Sequence, residues 1–232
     1  MKTTMFNIVR GVNKSIYSGL IFNSLPGFVK KFVYKKRFIN NLDIEIASQI
    51  LSLSKIKKAV VFDCGGNVGL WTDIFISLGC SVKVFEPSED CYKFLIERFK
   101  GLGNVEVFPV ALSNIKGVQQ FYRGELSFSE SGSLNSRKNN VSESELATVK
   151  VDKLSTYIRN YKPHFVKIDV EGSEVEILQD LLFNLTNEEL SSTFFAIETH
   201  EMKILDLEER LQVLKAEIKE RGLTQSFNFK WH

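Results

Sequence analysis

The sequence predicts an α/β protein: a mostly parallel sheet with helices on both faces, preceded by a helical extension. Three observations predict it. Residues 59–62 form an apolar run that ends in Asp63 and passes through Gly65, Gly66 and Gly69 into a helical pattern; four consecutive apolar residues suit a strand buried on both faces, as parallel strands are. Residues 165–168 repeat that grammar, with Asp169, Glu171 and Gly172 leading into another helix. Between and after these stretches, apolar β-rich runs alternate with helical ones, the pattern of βα units rather than of hairpins.

Residues 1–54 read as a basic, amphipathic helical extension or lid. Met5, Ile8, Val9, Val12, Ile16 and Leu20 recur at helical spacing and make one apolar face. Leu25-Pro26-Gly27 interrupts it before a second apolar and basic run over 28–38, and a third helix runs from about Asp43 to Leu53. Lys2, Arg10, Lys14, Lys30, Lys31, Lys35, Lys36 and Arg37 all precede the first acid, Asp43. Setting these eight aside from the thirty basic residues leaves twenty-two against twenty-eight acids, so the remainder carries about six net negative charges. The extension either packs on the main domain as a lid or turns its basic face to anionic lipid or an acidic substrate.

Residues 55–232 read as one α/β domain. After the first strand and its turn, a helix runs from Leu70 to about Leu78, with Gly79 as its stop. Residues 82–86 are the next strand, ending in Glu86, and Ser88 caps a helix that continues to about Lys100. A third strand covers 105–108 and leads through Pro109 to Ala111 and Asn114. Phe121-Tyr122 looks like strand, and the stretch that follows is rich in Ser, Asn and Glu. It marks a variable loop at about 123–148, with Gly132-Ser133-Leu134 as the candidate substrate segment, because loops beyond the carboxyl ends of parallel strands carry specificity. Ser173 and Glu176 form a capping-box pair that opens a helix through about Leu185. The last strand, 193–198, ends in Glu198 and is followed by Thr199-His200-Glu201.

The chain's 232 residues, 44% of them apolar and 25% charged, are those of an ordinary globular protein with a sizeable core. Cys64, Cys80 and Cys91 contain no C-x-x-C pair, which points to reduced cytoplasmic thiols rather than zinc or a disulfide framework. No apolar run approaches the roughly 20 residues of a membrane span, and no secretory signal pattern is present. A cytoplasmic protein follows, in contact with the inner membrane surface if the basic extension engages lipid.

The glycine turn departs from the dinucleotide fingerprint, since a G-x-G-x-x-G started at Gly65 meets Asn67 and Leu70 where glycines belong. A nucleoside cofactor without a pyrophosphate, such as S-adenosylmethionine, needs close backbone approach and an acidic edge instead. Glu86 stands about twenty residues past the turn, where a carboxylate accepts from both ribose hydroxyls. Asp63, Gly65, Gly66, Asn67, Gly69 and Glu86 are the cofactor candidates, with Ala111, beyond the third strand, beside the adenine and Asp169 completing the set. Asp169 and Glu171 flank a strand end, and His200 follows the next one. These three are candidates for the catalytic base.

The segments FDCGGNVGLWT, VKVFEPSED, VALSNIKGVQQFY, FVKIDVEGSEVEIL and AIETHE resemble the FkbM family of S-adenosylmethionine-dependent methyltransferases over residues 56–201. The resemblance implies a Rossmann-like class I methyltransferase sheet, cofactor contacts from Asp63, Gly65, Asn67 and Glu86, and O-methylation of a hydroxyl on a sugar, glycolipid or secondary metabolite. The family pattern usually has Ala at the position of Gly66, and usually continues past the last helix into a further strand pair, so the usual antiparallel edge is expected to be short or incomplete here. Methyl transfer to oxygen needs alignment and a group that takes the hydroxyl proton; Asp169, Glu198 and His200 offer a competing metal-assisted route. RNA ribose methylation is the alternative chemistry, motivated by the basic extension and by Lys167 beside Asp169, although no stacking-aromatic RNA module accompanies it. A non-catalytic cofactor-binding module is the alternative of another class.

Overall fold

The computed structural model describes residues 43–122, 133–134, 146–199 and 207–229. The basic extension up to residue 42, most of the 123–148 loop, and His200 and Glu201 lie outside the described residues. The compact unit begins at Asp43.

Its elements in chain order are α1 (Ile44–Leu53), β1 (Val60–Cys64), α2 (Leu70–Ser77), β2 (Ser81–Phe85), α3 (Glu89–Arg98), β3 (Val105–Phe108), β4 (Ala111–Leu112), β5 (Gly117–Tyr122), β6 (Leu146–Asp152), α4 (Leu154–Tyr161), β7 (Phe165–Ile168), α5 (Glu174–Asn184), α6 (Asn187–Ser191), β8 (Phe194–Ile197), α7 (Leu207–Glu220) and β9 (Phe227–Asn228). Six strands make one sheet in the order β3-β2-β1-β7-β8-β9, and every pairing in it is parallel. β4, β6 and β5 make a second, smaller sheet.

The two apolar runs that predict the fold are the centre of the large sheet: β1 and β7 pair in register, Phe62 with Val166 and Asp63 with Lys167. Phe62, Phe85, Phe165 and Phe195 are fully buried. Each such side chain contributes about 1.5–3 kcal/mol of burial. Phe62 meets Phe85 edge-on at 5.3 Å, and Phe85 stacks on Phe108 at 5.1 Å. That ladder ties β1, β2 and β3 together beyond their hydrogen bonds. α1 buries Ile46, Ile50 and Leu53, and the Asn228 amide donates to Glu45 at 2.7 Å, joining β9 to the helix that opens the unit.

Three local expectations are corrected. Ser173 makes no side-chain cap; Glu174 instead reaches back to accept from the Gly172 amide at 3.1 Å. A capping box does occur, one helix later, where Thr186 and Glu189 exchange hydrogen bonds. Ser88 holds the N-cap position of α3 without a side-chain cap bond, and its own amide donates to the Glu86 carboxylate at 2.8 Å. β6 and α4 lie in a stretch that carries no clear strand or helix signal; β6 joins β4 and β5 in the second sheet, while α4 packs on the large sheet, with Tyr157 against Phe85 and Phe108 and Tyr161 against Phe62. The sheet edge at β9 is a two-residue strand parallel to β8.

Candidate active site

The carboxyl edge of the large sheet is level. One backbone hydrogen bond beyond each assigned strand, the Gly65 amide donates to Phe85, Glu86 to Phe108, Asp169 to Cys64 and Glu198 to Ile168, at 2.9–3.1 Å. The row across the edge is therefore Glu86, Gly65, Asp169, Glu198. The strand order reverses between β1 and β7, and in open α/β sheets that switch point is where ligands bind.

Gly65 and Gly69 adopt left-handed backbone, with φ +81° and +80°. A Cβ on Gly65 would sit 1.8 Å from the Asp169 carbonyl oxygen, and one on Gly69 2.7 Å from the Phe99 ring. Gly66 needs no unusual φ; there a Cβ would come 2.2 Å from Val84 Cγ1. The glycines thus serve packing first: they let β1 turn tightly under the post-β7 backbone and let α3 close against the turn. Here β2 supplies Val84 in the volume that an alanine at position 66 would fill.

Glu86 is held on both oxygens, by the Asn67 amide at 2.7 Å and the Ser88 amide at 2.8 Å. It is 6% exposed. Burial pushes its pKa up to about 7, against the pull of those two amides. A carboxylate carries about four acceptor sites, so two remain for ribose hydroxyls, and the residues fit a nucleoside at this turn. Asn67 reaches Glu86 with φ +45°, a conformation Asn tolerates better than most residues.

Asp63 is wholly buried. Its Oδ2 accepts the Thr72 hydroxyl at 2.6 Å, and its Oδ1 faces the Lys167 ammonium at 3.4 Å without a well-aligned hydrogen bond. Burial raises its pKa against the pull of Lys167 and Thr72. Its placement makes it a support of the turn. Asp169 pairs with Lys167 at 3.2 Å and keeps a quarter of its side chain exposed. Glu171 sits at φ +59°, an uncommon conformation for a non-glycine residue, and its carbonyl accepts the Ser133 hydroxyl at 2.7 Å. Ser133 is buried and exchanges both backbone hydrogen bonds with Tyr122; one point of the 123–148 loop is thereby pinned to the turn after β7. Ala111 lies in β4 with its side chain in the apolar cluster of Phe121, Val149 and Val151. His200 falls outside the described residues.

Thr72 and Lys167 are the partners that sequence reasoning left out of the site. Lys167 carried a signal: a lysine inside a strand buried at all four positions must find charge partners nearby. Thr72 carried none.

An all-parallel sheet that reverses at β1/β7 beneath a glycine turn and a row of acids defines a Rossmann-like methyltransferase fold. The Methyltransferase FkbM domain matches residues 63–216, and the chain belongs to that family of methyltransferases. The hexuronic acid methyltransferase AglP of Haloferax volcanii is 31% identical to it over 145 residues, 61% of this chain and 56% of the relative. The chain thus spans about half the length of that relative. Among the described residues no helix is long and apolar enough to cross a membrane.

Proposed function

We propose that the chain transfers a methyl group from S-adenosylmethionine to a hydroxyl of a sugar, in a glycan or glycolipid. The observation that carries the cofactor half is Glu86, cradled by the Asn67 and Ser88 amides with acceptor sites to spare at the switch point. The sugar half is supported by the resemblance to a hexuronic acid methyltransferase, and the eight cations that precede Asp43 suit an acceptor or a lipid surface bearing negative charge.

S-adenosylmethionine, when bound, supplies a methyl on a positively charged sulfur that needs no further activation. The work left to the chain is orientation and proton removal. Gly65, Gly66, Asn67 and Gly69 bring backbone close to the nucleoside, and Glu86 holds its ribose. As the oxygen–carbon bond forms and the carbon–sulfur bond breaks, the hydroxyl proton passes to a base; His200 fills that role, with Asp169 and Glu171 at the neighbouring strand end orienting the acceptor.

The test uses the full chain with methyl-labelled S-adenosylmethionine and a panel of hexuronate-bearing glycans, neutral glycans, glycolipids and RNA. Label is expected in the hexuronate-bearing glycans, as an alkali-stable methyl ether. Label confined to RNA would replace this assignment with ribose methylation.

A further inference from the structure

We propose that Lys167 is a positioning residue that locks the glycine turn and the acid Asp169 into one unit, so that the cofactor side and the acceptor side of the edge keep a fixed relation. The Lys167 side chain is 2% exposed and its ammonium has three partners at two adjacent strand ends: it donates to the Gly65 carbonyl at 3.0 Å and pairs with Asp63 at 3.4 Å at the end of β1, and pairs with Asp169 at 3.2 Å at the end of β7. The Asp63 contact is an ion pair without a well-aligned hydrogen bond. Burial opposes the charge, but Asp169 and Asp63 together hold the pKa above that of an ordinary lysine. Two carboxylates share the one cation. Asp63 is wholly enclosed and also takes the Thr72 hydroxyl, whereas Asp169 keeps exposed surface. Lys167 thereby fixes the exposed carboxylate through a contact that also fixes the turn carbonyl.

A buried ion pair that served stability alone would be replaceable, since removing both charges together is often neutral. That distinguishes the two roles. In Lys167→Met, Asp63 is left buried beside no cation, and loss of folding is the trivial outcome. In the double variant Lys167→Met/Asp63→Asn the buried charge is removed as a pair.

The proposal rests on S-adenosylmethionine binding at this turn, so the experiment has one arm that needs no ligand. Amide hydrogen exchange of Gly65 and Asp169 is measured in the full chain, with thermal midpoint as control, and S-adenosylmethionine affinity is measured by calorimetry. In the double variant, exchange at both amides should accelerate together at an unchanged midpoint, and affinity should fall at least tenfold. Wild-type exchange and affinity in the folded double variant would overturn the proposal. If the double variant does not fold, Asp169→Asn reads the same coupling from the other end: faster exchange at Gly65 supports it and an unaffected Gly65 overturns it. A wild-type chain that binds no S-adenosylmethionine counts against the proposed function, and the exchange arm alone then decides the role of Lys167.

Discussion

The Asn67 amide and the Glu86 carboxylate meet at 2.7 Å, so the backbone of the glycine turn holds the acid that ends the neighbouring strand. Removing that carboxylate damages turn and ligand contact together. Glu86→Ala is expected to weaken S-adenosylmethionine binding by about 1–3 kcal/mol, measured by calorimetric titration.

The same residue makes affinity depend on pH. With its pKa raised from 4.5 to about 7, Glu86 favours the protonated state when folded. Its contribution to stability is therefore present below about pH 4.5 and lost as pH rises through about 7, amounting to at most about 3.5 kcal/mol at roughly 1.4 kcal/mol per pKa unit. Ribose hydroxyls favour the carboxylate, so cofactor affinity runs the other way. Between pH 5 and pH 8 the unliganded wild type should lose stability relative to Glu86→Gln, while its S-adenosylmethionine affinity should rise with release of a proton. A pH-independent affinity would remove Glu86 from the ribose site.

Gly66 and Val84 compete for one volume. Gly66→Ala alone should destabilise by about 1–3 kcal/mol through overpacking. Val84→Ala alone should destabilise by leaving a void. The combined variant should be more stable than the sum of the two changes allows, with the added methyl occupying the space vacated by valine. Denaturant titration of the four proteins measures the coupling, and strict additivity would contradict the contact.

The two serine/threonine caps separate cleanly. Thr186→Ala removes the side-chain arm of a working capping box, the bond from the Glu189 amide to the Thr186 hydroxyl, and should cost about 1 kcal/mol. Ser173→Ala removes no cap hydrogen bond and should cost less than Thr186→Ala. Thermal unfolding of the pair checks the assignment.

For turnover, His200→Ala is expected to lower kcat by about 10²–10⁴-fold with cofactor affinity unchanged. Asp169→Ala should damage both, because its carboxylate is bound through Lys167 to the turn. Single-turnover kinetics on an identified acceptor, alongside calorimetry, resolves the two; near-normal turnover without His200 would move the base to Glu171 or Asp169.

The large sheet was legible in the sequence because β1 and β7 are buried along nearly their whole length and are therefore mostly apolar, with Asp63 and Lys167 the charged exceptions. Glu86 was legible from its place at a strand end about twenty residues past the glycine turn. The small sheet was not. β5 and β6 each turn one side outward, so Gln119, Gln120, Lys150 and Thr148 dilute the signal, and β6 finds its partners far away in sequence. The cap at Ser173 was misread because Ser-x-x-Glu spacing does not reveal that the Glu176 carboxylate is taken by Arg210, distant in sequence, at 2.9 Å. Gly66 was read as a place for a ligand; the structure gives it a second cause, Val84, which no local pattern could disclose.

The position of β1 also governs the order in which the chain can assemble. Phe62 pairs with Lys83 on one side and with Val166 on the other. During synthesis, β1, β2 and β3 are available together early, but the second edge of β1 stays unpaired until β7 has been made, and β8 then waits for Phe227. An apolar strand edge left open that long is a template for pairing with other chains, and contacts so distant in sequence form slowly. The arrangement that places a ligand crevice at the middle of the sheet also makes its central strand the one most dependent on late-arriving sequence for protection from aggregation.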